Sequence, residues 1–280
     1  MKKVISMILC LVLAATLLCA CDKKSPEETN AAPVTQAPTV ETTEATEAPT
    51  QPQILTEEAV QEALDTTSIA RLNGDIALTK QIVVMNGLLD GNGFQVTGPE
   101  HVENDPETEN AITVMGGTVQ NVSVSGAYRG IGDSSSFRVV SDVRLNTVYV
   151  DSQSYTLNFG YGNGVANLYV ENSTLKGWTS YTKFGEAIFT DCTFGWDTQG
   201  VNGNLRPYIN TTLIGCHFEG KETEDGTAVP FNIHFKSGSD GITLMLEDCY
   251  VGDTLITEEN VKDLLSLDLQ GNRLIINNTD

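Results

Sequence analysis

The sequence predicts an all-β chain coiled into a solenoid of about eight turns, with a short helix over its N-terminal end. Three observations carry that prediction. A six-residue phrase recurs eight times, starting at Leu89, Val119, Leu145, Val170, Phe189, Leu213, Leu246 and Leu269. Its third residue is Gly91, Asn121, Thr147, Asn172, Asp191, Gly215, Asp248 or Gly271, and all but Thr147 are types that tolerate a left-handed backbone. On either side of that residue, apolar and polar residues alternate with the period of a strand. Each phrase therefore reads as two short strands meeting at a one-residue corner. The copies lie 19–33 residues apart, close to the range of solenoid repeats. Thr147 is the poorest corner, because a branched β-carbon crowds a left-handed bend.

The fourth position is Asn92, Val122, Val148, Ser173, Cys192, Cys216, Cys249 or Asn272. Just past the corner it should face inward, so the three cysteines form an internal column. In-register parallel neighbours point the same way, which suits buried small hydrophobes better than a disulfide. No Cys-x-x-Cys spacing exists to suggest a metal site.

The ends give an address. Lys2 and Lys3 precede an apolar run from Val4 to Ala20, followed by Cys21, the layout of a secretory signal. The ending Leu18-Cys19-Ala20-Cys21 resembles a bacterial lipobox. That resemblance implies that residues 1–21 form a lipoprotein signal, that Cys10 and Cys19 leave with it, and that Cys21 is lipidated as the mature N-terminus. The chain is then expected to be exported and held on the bacterial membrane by its lipid, with the domain outside the cytoplasm. Residues 22–53 are rich in Thr, Pro, Glu and Ala, which cannot bury a core. They read as a disordered stalk reaching on the order of 100 Å if extended.

The domain is expected over 54–280, where 12 Lys and Arg face 31 Asp and Glu. So acidic a surface argues against nucleic acid as a partner. Leu55, Ala59, Val60, Ala63 and Leu64 share one helical face behind Thr56, with Glu57 and Glu58 in the first turn. This helix is expected to cap the first coil, since solenoid ends need covering. A similar helix is expected from Thr257 to about Leu265, packing near the other end.

Leu88-Leu89-Asp90-Gly91-Asn92-Gly93-Phe94, preceded by Leu72-Asn73-Gly74-Asp75-Ile76, resembles the opening coils of the pectate-lyase-like family of right-handed parallel β-helices. The resemblance covers about residues 54–280. It implies three strands per coil, with ligands on the face of the first strand beside the long loops. Those strands are expected near Ala111–Val114, Phe137–Val140, Thr156–Phe159, Tyr181–Phe184, Tyr208–Asn210 and Phe231–Phe235. Arg138, Asn158, Lys183, Tyr208 and His234 would face outward there. The adjoining loops would bring Tyr128, Tyr155, Trp178, Trp196 and Arg206. An acidic domain would thus gather scarce cations and both tryptophans on one face. Rings stack on sugars, and Arg or Lys pairs with carboxylate or sulfate. The same tryptophans would equally pack beneath their own loops, and the cations would equally neutralise neighbouring carboxylates.

The family holds lyases, hydrolases, esterases and non-catalytic surface proteins, so it does not choose an activity. A hydrolase of this family would need clustered Asp on the ligand face, and no Asp-Asp pair or Gly-His-Gly occurs. A lyase would need a base, for which Arg138 and Lys183 qualify, and Ca²⁺ or a basic residue to neutralise the substrate. No compact acidic cluster proposes a calcium site, and the acidic runs 100–109 and 219–225 read as solvated loops. No Ser-His-Asp motif, phosphate loop or HExxH is present. The expected function is a membrane-anchored, non-catalytic β-helix lipoprotein that binds polysaccharide or another envelope component. A lyase acting on an acidic polymer and an adhesive spacer are the alternatives.

Overall fold

The computed structural model describes residues 56–197, 200, 203–235 and 241–279. Contacts divide the chain into two compact units, Met1–Thr50 and Gln51–Asp280, and every described residue belongs to the second. The expected signal with Cys21, the stalk at 22–53 and Leu55 of the first helix lie outside the described residues. No helix among the described residues is long and apolar enough to cross a membrane.

The chain is all-β with largely parallel pairing. Its strands stack in register as three ladders. The first runs through Ile69–Arg71, Gly87–Asp90, Gly117–Ser125, Val143–Phe159, Leu168–Glu171, Ala187–Thr190, Thr211–Ile214, Thr243–Glu247 and Arg273–Asn277. The second begins at Ile76–Ala77 and Gln95–Thr97. It continues through the distal halves of two long strands, 117–125 and 143–159, then Thr174–Tyr181, Thr193–Gly195 and His217–Phe218, and ends at Tyr250–Val251. The third joins Ile82–Val84, Asn110–Val114, Arg129–Gly132, the last residues of 143–159 and 174–181, Asn204–Pro207, Phe231–His234 and Leu265–Asp268.

In-register stacking puts like on like. Ala70, Leu89, Val119, Leu145, Val170, Phe189, Leu213 and Leu246 form one buried column on the first ladder. Later coils fill the interior with rings: Phe189 and Phe194 are 5.4 Å apart, Phe194 and Phe218 5.3 Å, Phe218 and Phe231 5.0 Å. Each such side chain contributes about 1.5–3 kcal/mol by leaving water.

The corners follow the phrase. Asn121, Thr147, Asn172, Asp191, Gly215 and Asp248 all have positive φ, between 49° and 60°. Thr147, the misfit, is left-handed like the rest, at 54°. Behind them Val122, Val148, Ser173, Cys192, Cys216 and Cys249 are buried as expected, and the three cysteines are free thiols. Each thiol donates to the carbonyl two residues before it and to one on the preceding coil, as Cys216 does to Ile214 and Phe189 at 3.5 Å.

Two copies of the phrase behave differently. At the first, the left-handed residues are Asn92 and Gly93. Gly91 itself has no positive φ and is needed for close approach, since a Cβ there would lie 2.4 Å from that of Val122; the bend falls one and two residues on. Phe94, which precedes Gln95 as Val122 precedes Ser123, packs against the core, and Asn92 is exposed. At the last, Leu269–Asn272 forms the turn between Leu265–Asp268 and Arg273–Asn277, because Leu246 pairs with Ile276. Asn272 is buried there because its Oδ1 accepts the Ile242 N–H at 3.0 Å.

Helix α1, Glu57–Thr67, starts as expected at Thr56, whose hydroxyl accepts the Ala59 N–H at 3.3 Å. Val60 and Leu64 are buried, and Ala63 packs against the core. The Glu57 carboxylate accepts the N–H and hydroxyl of Thr79 and the Lys80 N–H, tying helix to coil. Burial pushes its pKa up, but those hydrogen bonds outweigh it and leave the group below its ordinary range. The second helix is shorter than expected: α2 is only Val261–Leu264. The turn before it is still tied to Thr257: Val261 N–H donates to Thr257 O at 3.0 Å, and the Asn260 amide accepts the Thr257 N–H at 2.8 Å and donates to Leu255 O at 2.9 Å. The strand Leu265–Asp268 follows at once because it completes the third ladder beside Phe231–His234.

Candidate functional site

The start of the third ladder carries a continuous band of rings and guanidinium groups. It draws on Tyr128, Arg129, Tyr155, Trp178 and Arg206. The register pairs Arg129 with Tyr155, Tyr155 with Trp178 and Trp178 with Asn204, so the band climbs one rung at a time. Rungs about 4.8 Å apart bring such groups into contact without any long loop. A register shift on each side of Trp178 accompanies Gly177, whose φ is +126°.

The contacts run in sequence. His101 stacks on Tyr128 with centroids 4.1 Å apart and planes at 13°. The Arg129 guanidinium lies 5.4 Å from the Tyr128 ring centre and 5.9 Å from that of Tyr155. Tyr155 meets Trp178 edge-on at 5.1 Å. Arg206 lies 4.2 Å over Trp178 and 5.9 Å from Tyr155, and its Nη1–H donates to the Tyr155 hydroxyl at 3.3 Å. Arg129 also pairs with Glu109 at 2.7 Å. His101 Nδ1, Arg129 Nε and Arg206 Nε are buried atoms with no hydrogen-bond partner among the described residues. Beside the band, Gly132, Asn158, Ser180 and Arg206 fall in one in-register column.

Of the residues expected from sequence, the fold brings Tyr128, Tyr155, Trp178 and Arg206 into this band and sets Asn158 beside it. Arg138, Lys183 and Tyr208 stand elsewhere, because three strands of the third ladder begin earlier than expected. The strand near 137–140 is Arg129–Gly132, which leaves Arg138 exposed in the following loop, its Nε–H donating to Ser135 O at 3.0 Å. The strand expected at 181–184 ends at Tyr181, so Lys183 is an exposed turn residue with φ of 63°. The strand expected at 208–210 is Asn204–Pro207, which makes Arg206 a strand residue and puts Tyr208 beyond it. Trp178 likewise belongs to a strand, Thr174–Tyr181, and not to a loop.

Trp196 serves packing. Its ring meets Phe231 edge-on at 5.8 Å, its Nε1–H donates to Glu219 O at 3.2 Å, and Lys221 lies 4.5 Å above it. His234 is exposed at the end of Phe231–His234, in register with Asp268. Sequence reasoning missed Arg129, His101 and Ser180. The pair Tyr128-Arg129 was the available signal for the first; His101 sits within an acidic loop whose path no local pattern reveals.

Asp133 fixes the far side of the column. It is buried, and its two carboxylate oxygens accept the N–H groups of Gly160 at 2.6 Å and Tyr161 at 2.9 Å. Burial pushes its pKa up against the pull of those bonds. Its own N–H donates to Asn158 O at 3.1 Å, so it anchors the strand end that presents Asn158.

Chemically the band offers flat ring faces and forked cationic donors on a half-buried floor. Rings take the apolar face of a sugar, and a guanidinium takes a carboxylate or sulfate through two parallel hydrogen bonds. Among the described residues no group of three or more His, Cys, Asp or Glu is placed to hold a metal ion. Compared with protein-family models, with curated proteins and with solved structures, the chain matches none of them.

Proposed function

We propose that the domain is a right-handed parallel β-helix of the pectate-lyase-like kind, exported and held at the bacterial membrane by a lipid on Cys21. Its third-ladder face binds an acidic polysaccharide, or another acidic envelope component, without cleaving it. The order in which the chain visits the ladders supports a coil of three strands per turn: first, second, third, then first again. One observation carries the binding. In a domain with 31 acidic and 12 basic residues, two arginines lie together among three aromatic rings over consecutive rungs. Interleaved rings and cations would grip a chain of sugars through its faces while selecting negative charge. Arg138 and Lys183, the candidate lyase bases, are exposed residues outside the strands that carry the band.

Incubation with oligogalacturonate, alginate and neutral glycans tests this reading, scored for binding and for the ultraviolet absorbance of unsaturated products. Binding of acidic glycans with no rise in absorbance is expected. A rise in absorbance would make the protein a lyase, and failure of every acidic glycan to bind would leave the spacer.

A further inference from the structure

The corner between the first and second ladders holds a groove of about 540 Å³ that shares no lining residue with the band on the third. None of its lining residues is Asp, Glu, Lys or Arg, in a chain of net charge −21. One wall is the corner amides Asn92, Asn121 and Asn172; the other is Ser123, Tyr149 and Thr174, which stack in register on successive rungs. The lining spans four consecutive rungs, about 14 Å at the usual rung spacing.

The hydrogen bonds beneath the groove orient its walls. Asn121 Nδ2 donates to Asp90 Oδ1 at 3.1 Å, Asn172 Nδ2 to Asn146 Oδ1 at 3.4 Å, and Asn92 Nδ2 to Leu72 O at 3.3 Å. A carboxylate and a carbonyl only accept, so they fix which way the first and last amides point. Asp90 is in turn neutralised by Arg71 at 3.1 Å. The Asn92 and Asn121 amide oxygens therefore remain as acceptors, and the Asn172 amide can present either end. The hydroxyls of Ser123, Tyr149 and Thr174 make no hydrogen bond within the described residues and both donate and accept. Tyr149 is 38% exposed, which leaves its ring free as a platform.

We propose that this groove is a second ligand site, for a neutral oligosaccharide lying along the stack. Uncharged walls give an ion no counter-charge, the amide acceptors of Asn92 and Asn121 with the three hydroxyls suit a hydroxyl-rich ligand, and the Tyr149 ring takes a sugar face. The site does not depend on the band, so one protein would hold acidic and neutral glycan on different faces.

Calorimetric titration of the full chain with cellohexaose, maltohexaose and chitohexaose tests the proposal, using oligogalacturonate as the acidic control. At least one neutral probe should bind with an affinity that salt leaves unchanged. Tyr149→Ala should weaken it at least fivefold. Ser123→Trp, on an outward strand position and checked for folding by circular dichroism, should abolish it by filling the groove. Both variants should bind oligogalacturonate as the wild type does, whether well or not at all. The proposal is overturned if no neutral probe binds, if binding survives both substitutions, or if Trp178→Ala removes neutral binding while Ser123→Trp spares it.

Discussion

Replacing Thr147 with Asn should stabilise the domain. Thr147 is left-handed at φ 54°, on a corner where the neighbouring coils use Asn121 and Asn172 at φ 50°. The left-handed conformation costs an ordinary residue about 1–2 kcal/mol, a cost that Asn partly offsets with its own local hydrogen bonds. The exposed hydroxyl returns one bond, to Asn146 Oδ1 at 3.0 Å, worth about 0.5–1.5 kcal/mol at most in net terms. An Asn amide in that place can join the same corner column, so the net gain should be about 1 kcal/mol. That corresponds to a rise in Tm of roughly 2–4 °C for a domain of this size. The reverse change, Asn172→Thr, should cost about 1–2 kcal/mol, since the amide it removes makes only a 3.4 Å bond. Urea unfolding followed by circular dichroism reads both, and the slope should not change. If Thr147→Asn is neutral or destabilising while Asn172→Thr costs nothing, the left-handed corner is not what selects these residues.

Three further outcomes follow from the same geometry. Burial and the adjoining Cys192 raise the Cys216 thiol, and the bond to Cys216 and then burial raise that of Cys249. Native protein should therefore resist thiol reagents at both and react only when unfolded; rapid native labelling would contradict the inward column. Glu57 has a folded pKa below its ordinary 4.5, so its contribution is present above that value and lost as pH falls through the lowered one. Glu57→Gln should remove that part of the acid sensitivity of unfolding, and an unchanged pH profile would show that the carboxylate does not tether the helix. Cys21→Ala should move the protein out of the membrane fraction, because stable anchoring needs the acyl chains; unchanged partitioning would place the anchor elsewhere.

The corners were legible because the residues that tolerate a left-handed bend are few, and each must recur once per coil. The inward column was legible for the same reason, one position on. What failed was the phase of the third ladder. Arg129–Gly132 does not read as a strand because Gly130 and Gly132 interrupt it. Yet both are required: a Cβ would lie 2.2 Å from Val150 at the first and 2.3 Å from Asn158 O at the second. Val139 and Phe184 are buried in turns, and their apolar character drew the expected strands past their true ends. That shift put Arg138 and Lys183 on the expected face and left Arg129 off it. The band itself depends on pairing between residues up to 51 positions apart, as between Arg206 and Tyr155, which no local pattern encodes. The eighth phrase was a chance match, since Leu269–Asn272 obeys the pattern but lies on a different turn.

The measurement that bears most directly on the binding account is the affinity of oligogalacturonate for wild type, Trp178→Ala and Arg206→Ala, read at low and high salt. Losing the ring stacked on Arg206 at 4.2 Å should weaken binding about tenfold, the equivalent of about 1.4 kcal/mol. Losing the guanidinium should weaken it at least as much and flatten the salt dependence. Equal affinity and equal salt dependence in all three proteins would contradict the account, because the ligand would then bind without the band.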